Sequence, residues 1–93
     1  MGVPLSLAQS VGHRVISRYQ LICPGAFEVM LVIVVEAEAG YYHKGADHIA
    51  HLTGFSLAKV YRCLTALGRD GAIHSVGKVG KKTFYSVLNN DIV

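Results

Sequence analysis

Ninety-three residues, 52% hydrophobic and 16% charged, have the composition of a folded domain; a disordered tail carries few apolar and many charged residues. A chain of this size buries roughly 60–65% of the surface its unfolded state exposes, which supports one modest core and excludes an enzyme with a separate cofactor domain. The formal net charge is +3, and the longest apolar run, Val29 to Val35, is bracketed by Glu28 and Glu36, so no membrane span of about 18 residues is expected.

The net charge conceals an asymmetry. In residues 1–43, Arg14 and Arg18 stand against Glu28, Glu36 and Glu38. In residues 56–82, Lys59, Arg62, Arg69, Lys78, Lys81 and Lys82 stand against Asp70 alone. A basic segment of this kind attracts a polyanion such as nucleic acid; the plain alternative is a solvated basic face. The first twenty residues lack the charged start and apolar block of a signal peptide. The opening Met1-Gly2-Val3-Pro4-Leu5-Ser6 fits the N-myristoylation pattern but has no polybasic second signal behind it, and that reading is set aside. With only Cys23 and Cys63 present, no disulfide framework is expected, and a reducing cytosol fits best.

In chain order, the first periodic segment runs from about Ser6 to Gln20. Ala8, Val11, Val15, Tyr19 and Ile22 step by three or four residues along one helix face, with Ser10, Arg14 and Ser17 opposite. Gly12 weakens this helix, and Pro24-Gly25 breaks it. Ala26 to Ala39 has the β-branched residues of a strand, but its length, its Pro start and the tail Glu36-Ala37-Glu38-Ala39 before Gly40 predict a helix. At 100° per residue its apolar positions go nearly all the way round, so it must be covered on most sides, and a second subunit is one source of cover. Tyr41 to Gly45 reads as an extended connection and Ala46 to Thr53 as a short helix with Asp47 in its first turn. After the turn Gly54-Phe55, Ser56 is the N-cap of a helix to about Gly68, ended by Arg69-Asp70-Gly71. Ile73 to Val76 and Thr83 to Leu88 are expected strands, joined by a loop from Gly77 to Lys82. Asn89-Asn90-Asp91 reads as a frayed end.

Residues 46–63 carry the strongest signal. Two short helices crossing steeply need a small residue where they touch, supplied by Ala50, and a residue tolerant of left-handed backbone at the turn, supplied by Gly54. Ile49, Phe55 and Val60 supply the inward apolar positions. This spacing resembles the helix-turn-helix pattern. With the continuation Leu64 to Ile73 and the Gly-Lys hairpin, residues 43–88 are similar to a winged helix-turn-helix, as in bacterial regulators of the MarR, ArsR and IclR type and small PapI-like regulators. The resemblance implies an α+β fold: N-terminal helices, the helix pair, then a β-hairpin wing.

The wheel of the second helix bears on this separately. Leu57, Val60, Leu64 and Leu67 share one face and are expected to pack inward. Ala58, Lys59, Arg62, Thr65, Ala66 and Arg69 share the opposite face, where small side chains and positive charge suit close approach to a major groove about 12 Å wide. Arg62 is the candidate for a bidentate contact with guanine, and Ser56 with the helix N-terminus suits a phosphate. Leu57 and Tyr61 are boundary positions: packing comes first, a thymine-methyl or phosphate contact second. Lys78, Lys81 and Lys82 of the wing would reach the phosphate backbone or the minor groove. Gly80-Lys81-Lys82-Thr83 lacks the ending of a phosphate-binding loop and sits between strands, so that reading is rejected.

Other signals are weaker. His48 and His51, with Cys23, His43 and Cys63, invite a metal site, but no close Cys/His cluster accompanies them; surface histidines, with His51 pairing Asp47, are the plainer expectation. Cys63 reads as a small core residue, not a redox switch. No triad or paired-carboxylate spacing is recognisable, so neither catalysis nor a cofactor is expected. The expectation is a single domain over residues 1–93 that binds double-stranded DNA as a small prokaryotic, plasmid or phage regulator, cytoplasmic and without a separate effector domain. Residues 5–39 are the expected homodimer interface; the C-terminal dimerisation helices of MarR-like regulators have no counterpart here, and the other possibility is a PapI-like monomer. A protein-interaction module and a replication or partition factor are the rival functions.

Overall fold

The computed structural model describes residues 13–80 and 82–88. In chain order these form α1 (His13–Ile22), α2 (Ala26–Glu36), β1 (Tyr41–Tyr42), α3 (Gly45–Thr53), α4 (Leu57–Asp70), β2 (Ile73–Val79) and β3 (Lys82–Val87). The architecture is α+β: four helices against one antiparallel sheet with strand order β1-β3-β2. The expected start of the first helix at Ser6, Lys81, and the tail Asn89-Asn90-Asp91 lie outside the described residues.

Within α1, Tyr19 is fully buried and Val15 and Ile22 pack against the same core, as the three-four spacing predicts; Ile16, outside that spacing, packs there too. Leu21 points outward. The corner Cys23-Pro24-Gly25 then turns the chain so that α1 and α2 meet at 111°. Gly25 takes φ +91, and a Cβ there would lie 2.9 Å from both Phe55 and Lys59, so both backbone and space demand glycine. Gln20 stitches the corner: its Oε1 accepts from Gly25 N at 3.1 Å and its Nε2 donates to Glu28 at 2.8 Å.

α2 is the central element. Ala26, Phe27, Val29, Met30, Leu31, Val32 and Ile33 are buried, and the helix touches α1, α3, α4 and β1. Most of the all-round apolar pattern is therefore covered from within the chain, with Val35 left exposed; a second subunit, one source of cover expected from the sequence, is not needed to bury Ala26 to Ile33. The helix also stops at Glu36 and not at Ala39. Ala37 is extended, and Glu38 exchanges backbone hydrogen bonds with Tyr41 at 2.8 and 3.0 Å, so strand pairing outcompetes the helical propensity of the Glu-Ala tail.

Tyr41-Tyr42, expected as a connection, forms β1 and pairs with Ser86 and Tyr85 of β3. Tyr42 is buried, and its hydroxyl donates to the carbonyl of Gly45 at 2.7 Å. The hairpin is longer than predicted. Pairing of β2 with β3 continues to Val79↔Lys82, so Gly77 and Lys78 lie in a strand and not in a loop. The glycine is absorbed by a register shift between Ser75 and Gly77, a bulge that leaves Val76 exposed, where a sequence reading takes it for a break. No single described helix is long and apolar enough to cross a membrane.

Candidate nucleic-acid interface

The site grows from the α3–α4 junction. Gly54 closes α3 in the left-handed conformation at φ 76, with its N–H donating to Ala50 O at 2.9 Å. Thr53 reinforces the turn: its hydroxyl donates to Ile49 O at 2.7 Å and accepts from Phe55 N at 3.2 Å. Ser56 then caps α4, its Oγ accepting from Lys59 N at 3.2 Å. That bond uses the hydroxyl as acceptor and leaves its O–H as a donor. Val60, Cys63, Leu64 and Leu67 face the core and fix the rotation of α4.

The opposite side of α4 is a shallow open groove of about 340 Å³ lined by Ala58, Tyr61, Arg62, Thr65, Ala66 and Arg69. No acid lines it. The nearest acid in sequence, Asp70, accepts from Arg18 of α1 at 3.4 Å. Arg62 and Arg69 are exposed and make no ion pair among the described residues. The fold thus brings Ala58, Arg62, Thr65 and Arg69 onto one surface, with Ser56 at the head of the same helix.

Lys59 departs from the expected arrangement. Its Nζ lies 3.9 Å above the Phe55 ring and its stem covers Gly25, so the side chain is turned to the flank of the helix and away from the groove. Leu57 departs too: it is 43% exposed where inward packing was expected, because Cys63 completes the inward face that Leu57 had been assigned to. Tyr61 is 55% exposed, so packing, the first reading given to it, does not describe its position. It lines the groove beside Arg62, a placement that spacing from Ala58 and Thr65 already carried. Behind it, burial and secondarily the neighbouring Tyr61 push the Tyr85 hydroxyl up, while a hydrogen bond from Thr83 opposes the shift.

Lys78 and Lys82 are exposed on the hairpin, and Lys81 lies outside the described residues. The Lys82 stem lies over Gly45 at the start of α3. β2 packs on α4 and β3 on α3, so the hairpin is anchored to both helices of the pair.

The histidines have other partners than expected. Glu36 accepts from Lys44 at 3.2 Å and contacts His48 Nε2 at 2.8 Å; these two hydrogen bonds, that of His48 first, hold its carboxyl below the usual range against a smaller effect of burial. His43 pairs with Glu38 at 3.2 Å. The expected His51–Asp47 pair does not form. Glu36, reaching across from α2, takes the neighbouring histidine instead. Among the described residues no three His, Cys, Asp or Glu side chains gather as a metal site would need. No family model, curated protein or solved structure matches the chain.

Proposed function

We propose that the chain is a winged helix-turn-helix protein that binds double-stranded DNA sequence-specifically, with α4 in the major groove and the β2–β3 hairpin as a basic wing. The observation that carries this reading is the α4 groove, in which two arginines with no ion-pair partner among the described residues stand among Ala58, Thr65 and Ala66, with no acid in the lining. Small side chains let a helix backbone approach base edges, and an unpaired guanidinium offers a bidentate donor to guanine. The element order helix-helix-strand-helix-helix-strand-strand and the sheet order β1-β3-β2 support the fold part of the reading. Lys78 and Lys82 supply phosphate contacts from the hairpin. The role is that of a transcriptional regulator, with DNA replication or partition as the other use of the same surface. A homodimer within the expected range 5–39 would have to use what the core leaves exposed there, such as Leu21 and Val35, and would read a pseudo-palindromic site.

The rival reading, a module for binding a protein partner, rests on the exposed Leu57, Tyr61 and Val76. Arginine and tyrosine are enriched in protein interfaces too, so the groove alone does not separate the two readings; the further basic charge of Lys78 and Lys82 on the hairpin, a residue type depleted in such interfaces, favours DNA. Selection from a random duplex library with the purified chain tests the proposal. The expected result is a defined site whose affinity falls steeply with salt, with half-sites repeating if the protein is a dimer. Failure to enrich any sequence, together with salt-insensitive affinity, overturns it.

A further inference from the structure

We propose that Cys23 and Cys63 form a two-thiol oxidation centre, which a hydroperoxide converts into a disulfide tying the α1–α2 corner to α4. The two residues are 40 positions apart in sequence, both are free thiols, and their Sγ atoms lie 3.8 Å apart. They differ in access. Cys63 is wholly buried, whereas Cys23 is partly exposed, so a small oxidant meets Cys23 first.

The surroundings hold the two sulfurs together. Cys63 Sγ donates to the carbonyl of Pro24 at 3.4 Å, which aims the thiol at the corner. On the other side, Gly25 is seated against Phe55 and Lys59, so the corner is docked on the α4 side of the junction by two separate contacts. To bond, the two sulfurs must close from 3.8 Å to about 2.05 Å. Burial most of all, then the neighbouring Cys23, pushes the Cys63 thiol up to about 11, which keeps it protonated and makes it a poor first target for the oxidant.

The steps balance with the peroxide as sole oxidant. Cys23 sulfur attacks the terminal peroxide oxygen; the O–O bond breaks, an S–O bond forms, an alcohol or water leaves, and Cys23 becomes a sulfenic acid. Cys63 sulfur then attacks Cys23 sulfur; the S–O bond breaks, the S–S bond forms, and the thiol proton departs with the hydroxide as water. A dithiol reductant reverses the change by exchange. Because the bridge spans 40 positions, it also constrains the unfolded chain and stabilises the fold. Cys63 lies on the core side of α4, so this inference does not depend on what the outer groove binds.

The test treats the full chain with stoichiometric hydrogen peroxide, denatures it, and counts alkylatable thiols by intact mass. The expected product is a monomer with no alkylatable thiol, lighter by the two thiol hydrogens and restored by dithiothreitol. Its thermal midpoint should stand above that of the reduced chain. Cys23→Ser should leave Cys63 alkylatable at the same dose, and Cys63→Ala should accumulate a sulfenic acid at Cys23 that dimedone captures. Three results would each overturn the proposal: both thiols still alkylatable in the wild-type chain, Cys23 over-oxidised while Cys63 stays free, or disulfides formed only between chains.

Discussion

Arg62 stands exposed in the α4 groove with Tyr61 beside it and the small Ala58 and Thr65 one turn away on either side. Removing its fork in Arg62→Ala is expected to cost about 1–3 kcal/mol at the selected site and to relax preference at one base pair, measured by titration against single-position variants of that site. The outward direction of Arg62 was legible from spacing, since Val60, Leu64 and Leu67 oblige the other side of the helix to face out. The direction of Lys59 was not. A wheel gives angles about an axis and cannot register that Gly25 leaves room for a lysine stem or that Phe55 offers a ring to its ammonium. Glu36 yields a second expectation at this scale. Its carboxyl is held below the ordinary value of 4.5 by His48 and Lys44, so its contribution to stability is complete above about pH 4.5 and is lost as pH falls through the lower folded-state value. Glu36→Gln should therefore flatten the acid limb of a stability-versus-pH curve, followed by denaturant titration between pH 3 and 6, and lower the stability measured near neutrality.

Elements are held in place here by small devices at their ends. Ser56→Ala removes the acceptor for Lys59 N and is expected to cost about 1 kcal/mol, seen as a fall of about 4–8 °C in the thermal midpoint. Ser56→Asp, which restores an acceptor, should recover that loss while weakening attraction to a polyanion, so stability and DNA affinity separate in the pair of variants. The Ser56 cap and the helix it starts were legible because the signal is local. Elements whose bounds depend on strand pairing were not. α2 ends early because Glu38 is claimed by Tyr41, and β2 runs past its expected end because Lys82 and Thr83 supply ladder partners across the hairpin. The covering of α2 was hidden as well: periodicity measures how much of a helix must be buried and is silent about what buries it.

At the scale of the whole molecule, basic charge is shared between two elements, α4 and the hairpin, which the topology anchors to each other through β2. Lys78→Ala is expected to weaken binding to all duplex sequences alike and to lower the slope of log affinity against log salt by about one, in contrast to Arg62→Ala, which changes preference. Equal loss across sequences for both variants would remove the distinction between a reading helix and a gripping wing. The exposed charge says which surface is basic without a structure; it takes the sheet to say that the hairpin rises from the same pair of helices.

The strand order β1-β3-β2 has a consequence for the chain as it is made. Among the described residues, β3 is the last strand in sequence and the middle one in space, and it joins Tyr41-Tyr42 to the segment after α4. Without β3, α1 to β2 have no sheet to complete them, and Tyr42 and Ile73, buried in the folded chain, lose their strand partners. Release after residue 80 should give a product without a cooperative melt and prone to clump, whereas the addition of Lys82–Val87 turns it into a folded domain.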